Sequence, residues 1–185
     1  MVVVLAVIAM VSGAVLTQVY NYTYEIIQAN LVRELEESVA EVLPNTVSME
    51  ILAGSAELLA DNGPDDEDSI LVLEGYDEDG SLLGFAYVTQ SPGYGGPVKV
   101  LVGVSLEPYE ILGVKVLDHA ETPGLGTRIE EVSFREQFVG KTLDDPIELS
   151  NDIDSLTGAT VSAAGVVNAV RDGLPRAIRT YEGRR

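Results

Sequence analysis

The sequence predicts an α+β domain, an antiparallel sheet flanked by helices, preceded by one N-terminal transmembrane helix. Helical periodicity lies before and after a block of short apolar runs joined by tight turns, which segregates helix from strand along the chain. The first 24 residues carry no charged side chain and are dominated by Val, Leu, Ile and Ala.

Taken as a helix, Met1–Tyr24 would rise roughly 36 Å at about 1.5 Å per residue, enough to cross a hydrocarbon core of about 30 Å. No basic residue precedes the run and no Ala-x-Ala site ends it, so an uncleaved anchor fits better than a signal peptide. The first basic residue is Arg33, and the positive-inside rule therefore chooses no orientation. The expected division is an anchor over 1–24 and a globular domain over 25–185.

Beyond the anchor the helix is expected to continue. Ile27, Leu31, Leu35, Val39 and Val42/Leu43 recur at three-to-four-residue spacing with glutamates between them, and Pro44 stops the run. A second amphipathic stretch covers Met49 to Ala60, followed by a polar, turn-forming loop over 61–68. Ile70–Tyr76 and Leu82–Thr89 then flank Asp77-Glu-Asp-Gly80 as a hairpin, and Val98–Leu106 and Ile111–Leu117 flank Glu107-Pro-Tyr-Glu110 as another. Ile129–Val139 reads as helix. The last long helix spans about Thr160 to Tyr181, with Val166, Val167, Val170 and Leu174 on one side and Pro175 as a point where it kinks or restarts.

Composition narrows the chemistry. Thirty acidic residues against 11 basic ones give a formal charge of -19, which argues against nucleic acid and anionic lipid head groups as partners. There is no cysteine and a single histidine, His119. Thiolate metal sites, iron–sulfur clusters and c-type haem attachment are thereby excluded. An electron carrier with this composition must use an organic cofactor.

Three segments carry the remaining signal. In Asp154-Ser-Leu-Thr-Gly-Ala-Thr160, Thr157 and Thr160 can each cap the last helix. Alternatively, Gly158 and Ala159 leave the backbone open to close approach, and a threonine hydroxyl at a helix start can be esterified to a phosphate. In His119-Ala-Glu-Thr-Pro-Gly-Leu-Gly126, Pro123-Gly124 makes a turn, and His119 reads as a hydrogen-bonded structural residue. In Ser91-Pro-Gly-Tyr-Gly-Gly-Pro97, three glycines around Tyr94 make either a loop between strands or a place where a flat ring meets the backbone.

Gly93-Tyr-Gly-Gly-Pro97, Gly113-Val-Lys-Val, His119-x-Glu-Thr-Pro-Gly-Leu-Gly126 and Asp154-x-x-Thr-Gly-Ala-Thr160, in this order behind an N-terminal anchor, resemble the FMN-binding G subunit of Rnf-type ferredoxin:NAD oxidoreductase complexes. The chain is also similar, at greater distance, to the C subunit of the sodium-pumping NADH:quinone oxidoreductase. The resemblance implies an electron-transfer component of an ion-translocating complex, carrying covalent FMN on Thr160 through a phosphoester. It implies that a separate flavin transferase, with FAD as donor, recognises Asp154, Thr157, Gly158 and Ala159. It further implies that Glu121, Thr122, Gly124 and Leu125 lie against the isoalloxazine, with Tyr94 also among the cofactor-binding residues. The implied location is the inner (cytoplasmic) membrane, single-pass, beside other membrane subunits, with the soluble domain on the extracytoplasmic side. Thr157 stands where the family often has Ser. The reading from another class is a non-redox anchored module, in which Thr160 only caps a helix and the acidic face binds a partner.

Overall fold

The computed structural model describes residues 2–54 and 70–184. The chain divides into two compact units, Met1–Leu35 and Glu36–Arg185. Helix α1 runs from Val2 to Val42, and Pro44 follows its end as expected from the sequence. In its apolar half the Thr17 hydroxyl donates to the Gly13 carbonyl at 2.9 Å, so this polar group is satisfied within the helix. Among the described residues, no helix is long and apolar enough to cross a membrane. The side chains of residues 3, 7, 8, 21 and 24–31, which belong to the expected anchor and its continuation, lie outside the described set.

The second unit is built on a five-stranded antiparallel sheet in the order β1-β2-β3-β4-β5, with β1 Ser48–Ala53, β2 Leu71–Tyr76, β3 Leu82–Pro92, β4 Pro97–Ser105 and β5 Ile111–His119. Both expected hairpins form. In the first, one carboxylate oxygen of Asp77 accepts from the Asp79 and Ser81 N–H groups at 2.9 and 2.8 Å, an Asx-type closure of the turn.

Two expectations are corrected. The stretch from Met49 is not helical where it is described: Ser48–Ala53 pairs with β2 as an edge strand, with a register shift between Ile51 and Ala53. A run of mixed polarity this short fits either period, and the open edge of β2 decides for strand. Residues 55–60, and the polar loop over 61–68, lie outside the described residues. Nor is Ile129–Val139 one helix. It breaks into a 3-10 turn at Gly126–Glu130, helix α2 at Val132–Arg135 and a 3-10 turn at Glu136–Phe138. Glu131 is extended between the first two pieces (φ -57°, ψ 133°). The break accompanies full burial of Ile129, Phe134 and Phe138, with the two phenyl rings edge to face at 5.7 Å.

Helix α3, Thr160–Arg184, lies on one face of the sheet and runs through Pro175 without ending. Val98, Val100, Val102 and Val104 alternate along β4 and share a core with Val166, Val170 and Leu174 of α3, as a period of two meeting a period of 3.6 requires. Tyr181 stacks on Phe85 at 4.5 Å, and the buried Tyr87 hydroxyl donates to the Val170 carbonyl at 3.1 Å.

The end of α1 occupies the other face. Gly75, Gly84, Gly103 and Gly113, one on each of four adjacent strands, leave the room that Val42 and Leu43 fill; a Cβ on Gly103 would collide with the Val42 carbonyl. Glu41 then pairs with Lys115 at 2.8 Å and with Arg135 at 2.9 Å. The Lys115 and Arg135 contacts hold its carboxyl below the usual range, against a smaller opposing effect of burial.

Candidate functional site

The β3–β4 turn, the loop after β5 and the start of α3 meet at one end of the sheet. Antiparallel pairing carries β3 and β4 out to Pro92 and Pro97, and the Gly93 N–H closes the turn on the Gly96 carbonyl at 2.7 Å. Tyr94 stands at its tip, 73% exposed. Strand β5 ends at His119, so the next residues fall beside that turn. Glu121 is only 5% exposed and is the junction of all three segments.

One oxygen of Glu121, Oε1, accepts from the Tyr94 and Gly95 N–H groups at 2.7 and 3.2 Å. The other, Oε2, accepts from the Ser162 hydroxyl of α3 at 2.7 Å. Burial alone would push this carboxyl up. The hydrogen bonds from Ser162, Gly95 and Tyr94, with His119 nearby, outweigh burial and hold it below the usual range, so the group is a carboxylate at neutral pH. Close packing accompanies the bonding. A Cβ on Gly95 would collide with the Ala120 carbonyl, and one on Gly126 would lie 2.6 Å from Glu121 Oε2.

His119 supports this loop. Its Nδ1 accepts the Glu121 N–H at 3.2 Å and its Nε2 lies 3.2 Å from Glu130 Oε1, the pattern of a hydrogen-bonded structural residue. Among the described residues, no group of three or more His, Asp or Glu side chains could hold a metal ion.

The loop reaches the Asp154–Thr160 segment at two further points. Leu125, 49% exposed, lies over Gly158: a Cβ there would sit 3.5 Å from Leu125 Cδ1. The Arg128 Nη1 group donates to the Thr157 carbonyl at 3.2 Å. Gly158 has φ +81°, the left-handed region that glycine enters without strain. Thr160 is the first residue of α3 and is exposed. Ala159, not Thr157, supplies the carbonyl for the first helical bond, from Ala163 at 2.9 Å.

The remaining expected residues are more peripheral. The Thr122 carbonyl accepts from Gly126 N–H at 2.9 Å and Gly124 N–H donates to Thr127 Oγ1 at 3.0 Å; both serve the loop's own turn. Asp154 is exposed and tied through its N–H to Gln137 Oε1 at 2.6 Å. Sequence reasoning did not single out Ser162, Arg128 or Val161. A serine on the buried face of α3 between Ala159 and Ala163 was the available signal for the first. Val161 is exposed beside Thr160, and only the structure reveals it.

The residues present fit an FMN. A phosphate group needs hydrogen-bond donors, and the start of the 25-residue helix α3 offers free backbone N–H groups. A flavin ring has one apolar edge that calls for apolar surface, and Leu125, Val161 and Tyr94, in or beside the three segments, are exposed.

Residues 93–175, which include all three converging segments, match the family model described as an FMN-binding domain, and the antiparallel sheet with its helices is consistent with that description. The chain belongs to the family of G subunits of ion-translocating oxidoreductase complexes. It is 30% identical to the G subunit from Methanosarcina acetivorans, covering 94% of this chain and 90% of the relative. It is 32% identical to the one from Vibrio cholerae, covering 92% and 86%. Among solved structures, NqrC of Shewanella oneidensis matches with a TM-score of 0.63 at 19% identity, over 84% of this chain and 97% of that one. The C subunit of the Na(+)-translocating NADH-quinone reductase of Parabacteroides distasonis matches with a TM-score of 0.56 at 20% identity, over 80% and 82%. At such identities the likeness is one of fold.

Proposed function

We propose that this chain is the electron-transfer subunit of an ion-translocating redox complex of the ferredoxin:NAD type, with FMN joined by a phosphoester to Thr160. The observation that carries this reading is the convergence of three motifs, separated by up to 67 residues between Gly93 and Thr160, on Glu121, whose partner Ser162 lies two residues along α3 from the exposed Thr160. A bound flavin exchanges one or two electrons, which suits a relay between one-electron carriers. The chain's own residues do the rest. Glu121 holds the three segments in register, Leu125, Val161 and Tyr94 offer apolar surface to a ring, and Thr160 supplies the bond.

Attachment calls for a flavin transferase that takes FAD as donor and reads Asp154, Thr157, Gly158 and Ala159. The exposure of Asp154, Thr157 and Gly158 supports that role, because a modifying enzyme must reach them. The uncharged run over 1–24 supports a single-pass anchor in the cytoplasmic membrane. The domain then stands on the extracytoplasmic side among the other membrane subunits, where a covalent tether prevents loss of the flavin by dilution. The fold likeness to the C subunits of NADH-quinone reductases favours one second reading, the equivalent position in a quinone-reducing complex. The membrane subunits that co-purify with the chain distinguish the two.

The test is production of the full chain with and without a flavin transferase. The expected product gains the mass of FMN less one water and fluoresces after denaturing electrophoresis, and Thr160→Ala abolishes both. A wild-type chain of unmodified mass, made beside an active transferase, overturns the covalent reading and favours a non-redox acidic binding module.

A further inference from the structure

Arg128 follows the Glu121–Gly126 loop and reaches the attachment segment. Its Nη1 donates to the Thr157 carbonyl at 3.2 Å and its Nε to Glu131 Oε1 at 3.1 Å. These are its partners among the described residues, and a guanidinium carries five N–H donors in a rigid fork. Its side chain is 37% exposed. It therefore brings a positive charge to the Thr157-Gly158 turn of a chain whose formal charge is -19.

Attachment is a phosphoryl transfer in which charge matters. The Thr160 oxygen forms a bond to the FMN-side phosphorus of FAD, the diphosphate P–O bond breaks, AMP leaves, and the hydroxyl proton passes to solvent or a base of the transferase. The incoming diphosphate is anionic, and the chain it approaches repels it. Arginine's planar fork suits phosphate oxygens. The contact to the Thr157 carbonyl also fixes the turn that presents Thr160 three residues later.

Resting on the covalent reading above, we infer that Arg128 is the positioning residue of flavin attachment: it fixes the Thr157-Gly158 turn and offers the positive charge against which the donor's diphosphate is aligned. Nothing in the three motifs contains it.

The experiment measures the rate of covalent flavin incorporation into the full chain by a flavin transferase, over a range of FAD and salt concentrations. The variants are Arg128→Gln, Arg128→Lys, Glu131→Gln and Thr160→Ala. Arg128→Gln is expected to lower kcat/KM about tenfold, mainly through KM for FAD, and to flatten the salt dependence. Arg128→Lys recovers the salt dependence and part of the rate. Glu131→Gln removes the ion pair but keeps the guanidinium, and loads at least as fast as wild type. Loading of Arg128→Gln at the wild-type rate, or an equal loss in Glu131→Gln, overturns the inference while leaving Thr160 as the acceptor. Should Arg128→Gln fail to fold, Arg128→Lys decides: loading indifferent to salt in both it and the wild type overturns the role of charge. An unloaded wild type overturns the covalent reading itself, and this inference with it.

Discussion

The Ser162 hydroxyl donates a 2.7 Å hydrogen bond to Oε2 of Glu121, tying the first turn of α3 to the loop that follows β5. The opposite oxygen takes two backbone N–H groups from the β3–β4 turn. One buried carboxylate thus joins segments 27 and 41 residues away from it in sequence, and Thr160 stands two residues from that junction.

Replacing Glu121 by Ala should orphan the Tyr94 and Gly95 donors and the Ser162 hydroxyl together. Hydrogen bonds to a charged group are each worth about 1.5–3 kcal/mol, and the three act as one unit. A loss of about 3 kcal/mol in urea unfolding is expected, and Ser162→Ala should cost less, about 1–2 kcal/mol. Midpoints indistinguishable from wild type in both variants would show the junction to be energetically idle.

Acid should unfold the domain earlier than its surface charge suggests. Glu121, Glu41 and Asp152 all have carboxyls lowered from ordinary values of 4.5, 4.5 and 3.8. For Asp152, burial pushes upward, but the Glu148 N–H, Lys141 and the Ile147 N–H outweigh it. A lowered folded pKa means that the unfolded chain binds more protons as pH falls. The stability these groups give is therefore whole above about pH 4.5 and lost as pH drops through their folded values. Urea midpoints should be flat from pH 7 to 5.5 and fall below pH 4.5, with a shallower fall in Glu121→Gln. An equal slope in that variant would remove Glu121 from the account.

The glycine row under the end of α1 gives a contrast. Gly103→Ala puts a methyl into the Val42 carbonyl and should destabilise by about 1–3 kcal/mol, the cost of overpacking. Gly183, inside α3 with nothing within 4 Å of a Cβ, should accept Ala with no loss, or with a gain of up to about 1 kcal/mol from helix propensity. Equal melting temperatures for the two variants would mean that α1 does not press on the sheet at that row.

Leu125 and Tyr94 are too exposed to matter for folding. Leu125→Ala and Tyr94→Ala should each shift stability by no more than about 0.5 kcal/mol. In flavin-loaded protein, Leu125→Ala should alter the visible absorption and fluorescence yield of the bound flavin. An unchanged spectrum would take Leu125 away from the ring.

Much of this was legible in the sequence, for identifiable reasons. The two central hairpins announced themselves because Asp77-Glu-Asp-Gly80 and Glu107-Pro-Tyr-Glu110 are local turn chemistry between β-rich runs. Pro44 and the 3.6-residue rhythm marked the end of α1. The Thr-Gly-Ala-Thr segment marked the start of α3 at Thr160, although Ala159, rather than either threonine expected to cap the helix, stands at the cap position. Met49 onward was not, since six residues of mixed polarity take the period of whatever edge they meet. The helix expected over Ile129–Val139 failed for a related reason: burying Ile129, Phe134 and Phe138 together outweighed a continuous helical ladder.

What the sequence determined by itself are properties carried by composition and short stretches: the uncharged run over 1–24, the exclusion of thiolate chemistry and c-type haem attachment, the hairpins and the start of α3. What only the tertiary structure decided is which distant groups touch. Glu121 could have been an exposed loop acid, Ser162 a solvent-facing serine and Arg128 one of several surface cations. Their partners come from the β3–β4 turn, the end of β5, the segment before α3 and α3 itself, and no local period encodes a hydrogen bond across 41 residues. Sheet register fixes where the strands end, and those ends bring the carboxylate, the hydroxyl and the guanidinium to the same corner of the domain.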